Sequence, residues 1–215
     1  RRGRESDHAR CAILTGDDDA TVGDHVTAHD AADGRELWRV GGLNPTGHKY
    51  FRSIASPVVA GDLVIAPYAR GETITAIRRG GSGDVTASHV AWTRGDLGAD
   101  VPTPAVKDGR VLVCTDKGRV ECLDAATGKT LAKTELAKNR NAYSASPVIV
   151  DGRVILVRED GQASVLEWPA AAGAAAFKML GEGGVEEMTV ATPACVDGRI
   201  FLRTHDSLWC LGEKP

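Results

Sequence analysis

Apolar and polar residues alternate in short runs along the chain, and glycine-containing turns separate the runs. Four segments begin alike: Ser56-Pro57-Val58-Val59, Thr103-Pro104-Ala105-Val106, Ser146-Pro147-Val148-Ile149 and Thr192-Pro193-Ala194-Cys195. Each is followed by a two-residue turn, either Gly-Asp or Asp-Gly, which is typical of tight β-hairpins. An alternation of period two indicates strands, whereas an amphipathic helix would place apolar residues three and four positions apart.

The four segments start 43 to 47 residues apart. A repeat of about 45 residues that holds four short antiparallel strands has the period of a β-propeller blade. We therefore predict an all-β fold, a β-propeller of four-stranded antiparallel blades, with about four to five blades in this chain. Residues 169–180 favour a helix by composition, but their place in the repeat predicts a turn followed by a fourth strand.

The predicted organisation is a disordered segment or a terminal arm at residues 1–9, followed by blades over residues 10–215. The approximate blade boundaries are 10–45, 46–93, 94–135, 136–181 and 182–215. The first and last repeats supply three strands each, so the propeller is incomplete as counted. Three arrangements stay open: the C-terminal half of an eight-bladed protein that lacks its N-terminal blades, a homodimer that closes one ring, and a small ring closed by one chain.

A second motif occurs at residues 28–38, which read Ala-His-Asp-Ala-Ala-Asp-Gly-Arg-Glu-Leu-Trp, and recurs at residues 122–132 with Ala132 in place of the Trp. This pattern resembles the tryptophan-docking motif of the PQQ-like (quinoprotein-type) β-propeller repeat family. The chain is similar to PQQ-like repeat proteins of bacteria, including those of planctomycetes, and in fold to the scaffold propeller of outer-membrane assembly. The resemblance implies structural docking roles for Asp30, Gly34, Trp38, Trp92, Asp124 and Gly128.

The charge balance excludes some partner classes. The 215 residues include 26 Lys and Arg against 29 Asp and Glu, a formal net charge of −3, whereas a nucleic-acid binder usually carries a clustered basic excess. No run approaches the roughly 18 apolar residues of a membrane-spanning helix. We therefore expect no nucleic-acid partner and no membrane span.

Motifs for catalysis or metal binding are missing from the sequence. The six histidines show no HExxH spacing, and the acidic run at residues 17–19 does not match an EF-hand loop. There is no GxSxG elbow, P-loop, GxGxxG or pair of adjacent cysteines. We expect no catalytic residue and no metal site.

Propellers bind ligands on the face formed by two sets of loops, one between the second and third strands and one between successive blades. Tyrosine offers contact area with a hydroxyl, and arginine offers a planar fork for carboxylate or phosphate. The polar and aromatic residues predicted in these loops, and so the candidate binding residues, are His48, Tyr50, Arg52, Tyr68, Arg70, Asp100, Tyr143, Arg158, Glu159 and His205.

The resulting hypothesis is a non-catalytic PQQ-like propeller that binds a protein partner or a small ligand on its loop face. The alternative implied by the resemblance is an alcohol or sugar dehydrogenase that depends on PQQ and calcium. Those enzymes are far longer, and none of their calcium or base positions maps onto this chain. We therefore expect no cofactor. By resemblance alone, the periplasm or cell envelope is the expected compartment.

Overall fold

The computed structural model describes residues 11–14, 25–45, 54–68, 73–169 and 176–212, and these residues form blades of β-strands. Blade 1 contains β1 (Cys11–Leu14), β2 (Val26–Asp30) and β3 (Glu36–Val40). Blade 2 contains β4 (Val58–Ala60), β5 (Leu63–Tyr68), β6 (Thr73–Arg78), an insertion with β7 (Gly83–Asp84) and α1 (Thr86–His89), and β8 (Val90–Arg94).

The remaining three blades follow the repeat, although the connection between the third and fourth strands is longer in blade 4 than in blade 3. Blade 3 contains β9 (Ala105–Lys107), β10 (Arg110–Cys114), β11 (Arg119–Asp124) and β12 (Thr130–Glu135). Blade 4 contains β13 (Val148–Val150), β14 (Arg153–Val157), β15 (Gln162–Glu167) and β16 (Met179–Gly184). Blade 5 contains β17 (Ala194–Val196), β18 (Arg199–Arg203) and β19 (Leu208–Leu211).

Within each blade, successive blade strands pair antiparallel, so the predicted all-β fold of propeller blades is confirmed. The first-to-second-strand turns contain Asp108, Asp151 and Asp197 at φ angles of 52°, 46° and 49°, each followed by a glycine that also has a positive φ. This is the backbone conformation that a type I′ hairpin requires, and Asp-Gly supplies it at little steric cost.

A β-bulge interrupts the pairing of the third and fourth strands at the same place in blades 1 to 4. The shared bulge aligns the blades residue by residue. The fourth-strand position just after the bulge holds Trp38 in blade 1, Trp92 in blade 2, Ala132 in blade 3 and Gly181 in blade 4. We call it the docking position below.

Four apolar clusters hold the blades together, one for each pair of successive blades. Trp38 belongs to the cluster between blades 1 and 2, and Leu97 and Leu123 to the one between blades 2 and 3. Trp168 lies between blades 3 and 4, and Leu202 between blades 4 and 5. The strands β4, β9 and β13 are neighbours, so the first strand of each blade lies innermost.

The insertion in blade 2 replaces the Asp-Ala-x-x-Gly turn, and the sequence analysis did not predict its structure. Its strand β7 pairs in parallel with β3 of blade 1, where Trp38 faces Gly83 and Arg39 faces Asp84. The Val85 amide then donates to the Arg39 carbonyl. Blade 1 is therefore a four-stranded sheet through a strand that blade 2 contributes.

Two boundaries differ from the sequence analysis. The fourth strand predicted within residues 169–180 exists, but β16 runs from Met179 to Gly184, so the strand ends beyond the approximate blade boundary at residue 181. The strand β5 extends to Tyr68, which was predicted in a loop. Among the described residues, no helix has the length and apolarity to span a membrane.

Candidate functional site: the loop face

The antiparallel topology divides the loops between two faces of the propeller. The loop face carries the connections between blades, such as residues 95–104, 136–147 and 185–193, and the turns between second and third strands, such as 115–118 and 158–161. The hairpin face, on the opposite edge, carries the first-to-second and third-to-fourth turns. The candidate binding residues were predicted on the loop face.

The four Ser/Thr-Pro segments form a chain of hydrogen bonds across the blades at this face. The Ser56 amide donates to Thr103 Oγ1 at 3.0 Å, and the Thr103 amide donates to Ser146 Oγ at 3.0 Å. The Ser146 amide continues the series to Thr192 Oγ1 at 2.9 Å. The repeat found in the sequence therefore joins the entry of each inner strand to the next blade, a role that the sequence pattern alone did not reveal.

A second series of hydrogen bonds links the turns and the connections between blades. The Tyr143 amide donates to the Asp116 carbonyl, and the Glu159 amide donates to the Ala142 carbonyl. The Thr189 amide then donates to the Glu159 carbonyl, and the His205 amide to the Met188 carbonyl. These backbone bonds fix the loops of blades 3, 4 and 5 as one surface, so side chains on it are held in place before any partner binds.

Three of the predicted binding residues come together between blades 3 and 4. Arg158 forms two hydrogen bonds of 2.9 Å with the Asp160 carboxylate. Glu159 accepts a hydrogen bond of 2.6 Å from Ser144. Burial raises the pKa of Tyr143, and the Arg158 hydrogen bond lowers the pKa of Asp160. The arrangement presents a fixed ion pair.

The structure corrects the expected accessibility of three residues. Tyr68 is 2% exposed, and its hydroxyl donates to the His25 carbonyl at 3.3 Å. Asp100 is 5% exposed, and its carbonyl accepts from the amides of Ile54 and Ala55. Tyr143 is 4% exposed in the cluster between blades 3 and 4. Their side chains are packed inside the fold. The sequence analysis predicted them in loops because alternation in a short run does not distinguish the end of a strand from the start of a loop.

Among the candidates that the structure describes, His205 is the one with an exposed side chain, and Nδ1 of its ring lies 2.7 Å from the Asp206 carboxylate. The sequence analysis missed the apolar residues beside it. Met188 and Val190, in the connection from blade 4 to blade 5, are 57% and 56% exposed, and the intervening Thr189 is buried. The signal in the sequence is the alternation of apolar and polar residues at Met188, Thr189 and Val190. The remaining candidates, His48, Tyr50, Arg52 and Arg70, lie outside the described residues.

The interface between blades 2 and 3 contains a buried carboxylate. Glu121 is 1% exposed and forms salt bridges with Arg94 and Arg119, while the Thr130 hydroxyl donates to it. Arg94 also pairs with Asp96 and lowers its pKa to about 2. Because every oxygen of Glu121 has a donor, the group joins the two blades without an unpaired buried charge.

Two of the residues that the resemblance assigned to docking meet across the same interface. The Trp92 indole donates to the Ala125 carbonyl at 3.0 Å. Its ring covers Gly128, where a Cβ would lie 2.8 Å from the ring atoms. Gly128 has a φ of 69°, which also favours glycine. Asp124 accepts from the Thr127 amide, and Asp30 from the Ala32 amide, which shapes their turns. Trp38 is 4% exposed, and Gly34 has a φ of 75°.

The described residues include His, Cys, Asp and Glu, the side chains that most often bind metal ions. No set of three or more His, Cys, Asp or Glu side chains there lies close enough together to hold a metal ion. The cofactor expectation from the sequence stays a prediction.

The fold agrees with comparisons to known proteins. The family described as "Outer membrane protein assembly factor BamB" matches residues 11–90 and 72–208. No curated protein matches the chain significantly in sequence.

Solved structures share the fold at low sequence identity. BamB from Moraxella catarrhalis aligns with a TM-score of 0.66 and 16% identity over 96% of this chain and 59% of that chain. The computationally designed Ika4 protein aligns with a TM-score of 0.60 and 17% identity over 83% of this chain and 98% of that chain. Raptor from Chaetomium thermophilum aligns at 0.67 and 15% over 96% of this chain and 20% of that one. The chain thus spans about three-fifths of the BamB structure.

Proposed function

Because the chain belongs to the PQQ-like propeller family described as outer membrane protein assembly factor BamB, we propose that it is a non-catalytic scaffold that binds a protein partner on its loop face. The cell envelope is the compartment in which this binding is expected. The surface proposed to bind the partner is the loop face of blades 3 to 5, which backbone hydrogen bonds hold in place.

The observation that carries this proposal is the pair Met188 and Val190, exposed by more than half on a loop that backbone hydrogen bonds hold rigid. Exposed apolar residues bounded by polar groups are typical of protein-binding surfaces, and methionine adapts to varied partners. The flanking groups are His205, Asp206 and the Arg158–Asp160 pair. Such a surface fits a partner segment with an apolar side chain between hydrogen-bonding groups.

Site-specific photo-crosslinking in cells tests the proposal. A photoreactive amino acid at Met188 or at His205 is expected to give discrete adducts with a protein of the envelope fraction. The matched control is Asp62, which is exposed on the hairpin face. A second variant, Met188→Asp with Val190→Asp, is expected to abolish the adduct formed from His205. Adducts that form equally from Asp62, or that survive the double substitution, would contradict the loop-face assignment.

The alternative function, a PQQ- and calcium-dependent dehydrogenase, is tested separately. The purified chain with added PQQ, calcium, an alcohol or sugar and a reducible dye is expected to leave the dye unreduced. Reduction that requires both PQQ and substrate would replace the scaffold assignment by an enzymatic one.

The arrangement of complete or missing blades also has a direct test. The mass of one chain is 22.6 kDa, and light scattering separates a monomer of that mass from a dimer of twice that mass. We expect partner binding to the loop face in either state, because the hydrogen-bonded surface of blades 3 to 5 lies within one chain.

A further inference from the structure

At the end of its outer strand, blade 2 carries two charged residues that blade 1 lacks. Counted from the docking position, the second residue is Arg94 in blade 2 and Val40 in blade 1. The fourth residue is Asp96 in blade 2 and Gly42 in blade 1. Blade 2 therefore presents a guanidinium and a carboxylate to blade 3, whereas blade 1 presents a valine and a glycine to blade 2.

The strands that face these residues differ in the same way. Strands β6 of blade 2 and β11 of blade 3 align through their pairing with the docking position of their own blade. Thr75 therefore corresponds to Glu121, and Thr73 corresponds to Arg119. Between blades 2 and 3, Glu121 forms salt bridges with Arg94 and Arg119. Between blades 1 and 2, both positions hold a short, uncharged side chain.

The space that the charged cluster occupies between blades 2 and 3 is an open groove between blades 1 and 2. Its volume is about 200 Å³. Four threonines line it, namely Thr73, Thr75, Thr86 and Thr93, and no charged side chain of the described residues does. Because Thr86 belongs to α1, the insertion of blade 2 forms one wall of the groove.

The hydroxyl of Thr73 has no hydrogen-bond partner among the residues that the structure describes, although Thr73 is only 9% exposed. A buried hydroxyl without a partner is unfavourable, so a ligand that bonds it gains affinity. The other hydroxyls keep spare capacity, because each offers one donor and two acceptor positions. Thr75 and Thr93 bond each other at 3.1 Å, and Thr86 accepts from the Gly41 amide at 2.8 Å.

We propose that this groove binds a single neutral sugar ring. Sugar hydroxyls donate and accept hydrogen bonds as threonine hydroxyls do, and the C–H groups of the ring find apolar contact at Leu43, Pro45 and Val90. A charged ligand is disfavoured, because its charge would be partly buried without an opposite charge beside it. The volume lies below the roughly 300 Å³ at which pockets for drug-sized molecules begin, which suits one ring.

The groove is separate from the surface proposed to bind a protein. It lies between blades 1 and 2, whereas Met188 belongs to the connection into blade 5 and His205 to blade 5 itself. Failure of the crosslinking test therefore leaves the sugar site standing, and failure of the sugar test leaves the protein-binding surface standing.

Titration of the isotope-labelled full chain by ¹H–¹⁵N correlation NMR tests the proposal. The probes are four neutral methyl β-pyranosides: the glucoside, galactoside, mannoside and N-acetylglucosaminide. At least one is expected to give saturable shifts at the amides of Thr73, Thr75 and Thr93. The methyl glucuronide, which has the glucose ring with a carboxylate, is the matched ligand control. It should bind at least about 10-fold more weakly than the glucoside.

Three variants connect binding to the threonine hydroxyls. Thr73→Val should weaken binding by about 3- to 10-fold, the effect of losing one hydrogen bond. It should not lower the Tm, because the hydroxyl that it removes has no partner in the fold. Thr134→Val, at a half-buried threonine of β12, is the matched control and should leave the affinity unchanged. Thr93→Phe places a ring in the exposed side of the groove and should abolish binding.

The disaccharide that carries the bound sugar at its non-reducing end distinguishes two sources of the ligand. Tighter binding of the disaccharide assigns the groove to the end of a glycan, and weaker binding assigns it to a free monosaccharide. The proposal is overturned if none of the four neutral sugars gives saturable shifts, if the glucuronide binds as tightly as the glucoside, or if Thr73→Val retains the wild-type affinity.

Discussion

Two successive interfaces, between blades 2 and 3 and between blades 3 and 4, each contain one large tryptophan. The tryptophan comes from the earlier blade in the first interface and from the later blade in the second. In the first, Trp92 extends from the outer strand of blade 2 over Gly128 and bonds the Ala125 carbonyl. In the second, the outer strand carries Ala132, and Trp168 extends back from the position that corresponds to Ala125. A small residue thus faces a large one in both, which fills the interior at normal density.

The electrostatics of the two interfaces differ as well. Between blades 2 and 3, the buried Glu121 is held by Arg94 and Arg119. Between blades 3 and 4, the charge is Arg110, 8% exposed, whose guanidinium lies against an aromatic ring and a backbone carbonyl. The comparison indicates that the repeat specifies where the blades meet, whereas the side chains that fill each interface differ from one interface to the next.

The largest expected effect is at the interface between blades 3 and 4. Trp168→Ala should lower the free energy of unfolding by about 3–5 kcal/mol, because it opens a cavity in a buried cluster and removes the ring beneath Arg110. Urea unfolding followed by circular dichroism measures this. The double variant Ala132→Trp with Trp168→Ala moves the large residue to the other blade and should recover part of the loss. A double variant no more stable than Trp168→Ala would contradict the exchange.

Trp92→Ala should cost less, about 2–3 kcal/mol, because Trp92 is half-buried while Trp168 is 8% exposed. Trp92→Phe keeps apolar contact but removes the hydrogen bond to Ala125, so about 1 kcal/mol of the loss should remain. Equal losses for Trp92→Ala and Trp168→Ala in the same urea titration would show that burial does not rank the two interfaces.

The contact between Trp92 and Gly128 allows a double-mutant test. Gly128→Ala should cost about 2 kcal/mol, since it strains a residue with positive φ and also places a Cβ against the ring. In the Trp92→Ala background the steric part disappears, so the cost should fall to about 1 kcal/mol. If the double variant lost as much stability as the two single variants added together, the steric contact between Trp92 and a Cβ at position 128 would be contradicted. Gly109→Ala, where the φ is also positive and no atom lies within 4 Å, is the matched control.

The smallest effect concerns pH and the interface between blades 2 and 3. Arg94 lowers the pKa of Asp96 from 3.8 to about 2, so the ionised carboxylate stabilises the folded chain above pH 3.8. This contribution should be lost as the pH falls from 3.8 through 2, because the unfolded chain binds the proton first. Thermal unfolding between pH 5 and pH 2 measures it, with Asp96→Asn as the control. A wild-type Tm that falls no more steeply than the variant's would contradict the assignment.

Much of the fold could be predicted because its signals are local. The Asp-Gly turns at residues 108, 151 and 197 require a positive φ that few other sequences adopt readily, and the runs between them alternate with period two. The number of strands in the first and last repeats was also predictable from this spacing. The insertion at residues 79–89 was not, since its short strand pairs with another blade and has no local pattern.

The candidate site was predicted less well. Loop residues were selected by chemical type, and type does not report burial. Tyr143, Arg158 and Glu159 lie close together, but Tyr68, Asp100 and Tyr143 are packed inside the fold, and binding by any of these residues stays a prediction. Met188 and Val190 were passed over because apolar residues in a loop resemble core residues in sequence. Their exposure follows from the neighbouring blade, which covers Thr189 instead.

The sequence by itself determined the blade repeat, the hairpin turns and the propeller family, because each depends on residues a few positions apart. Only the tertiary structure decided how the interfaces are filled. Arg110 and Pro169, or Ser56 and Thr103, meet across blades although they lie 59 and 47 residues apart in the chain. Such contacts depend on strand register and on the bulge that sets it, so packing between blades, rather than local preference, places Trp168 against Arg110 and leaves a groove beside Thr73.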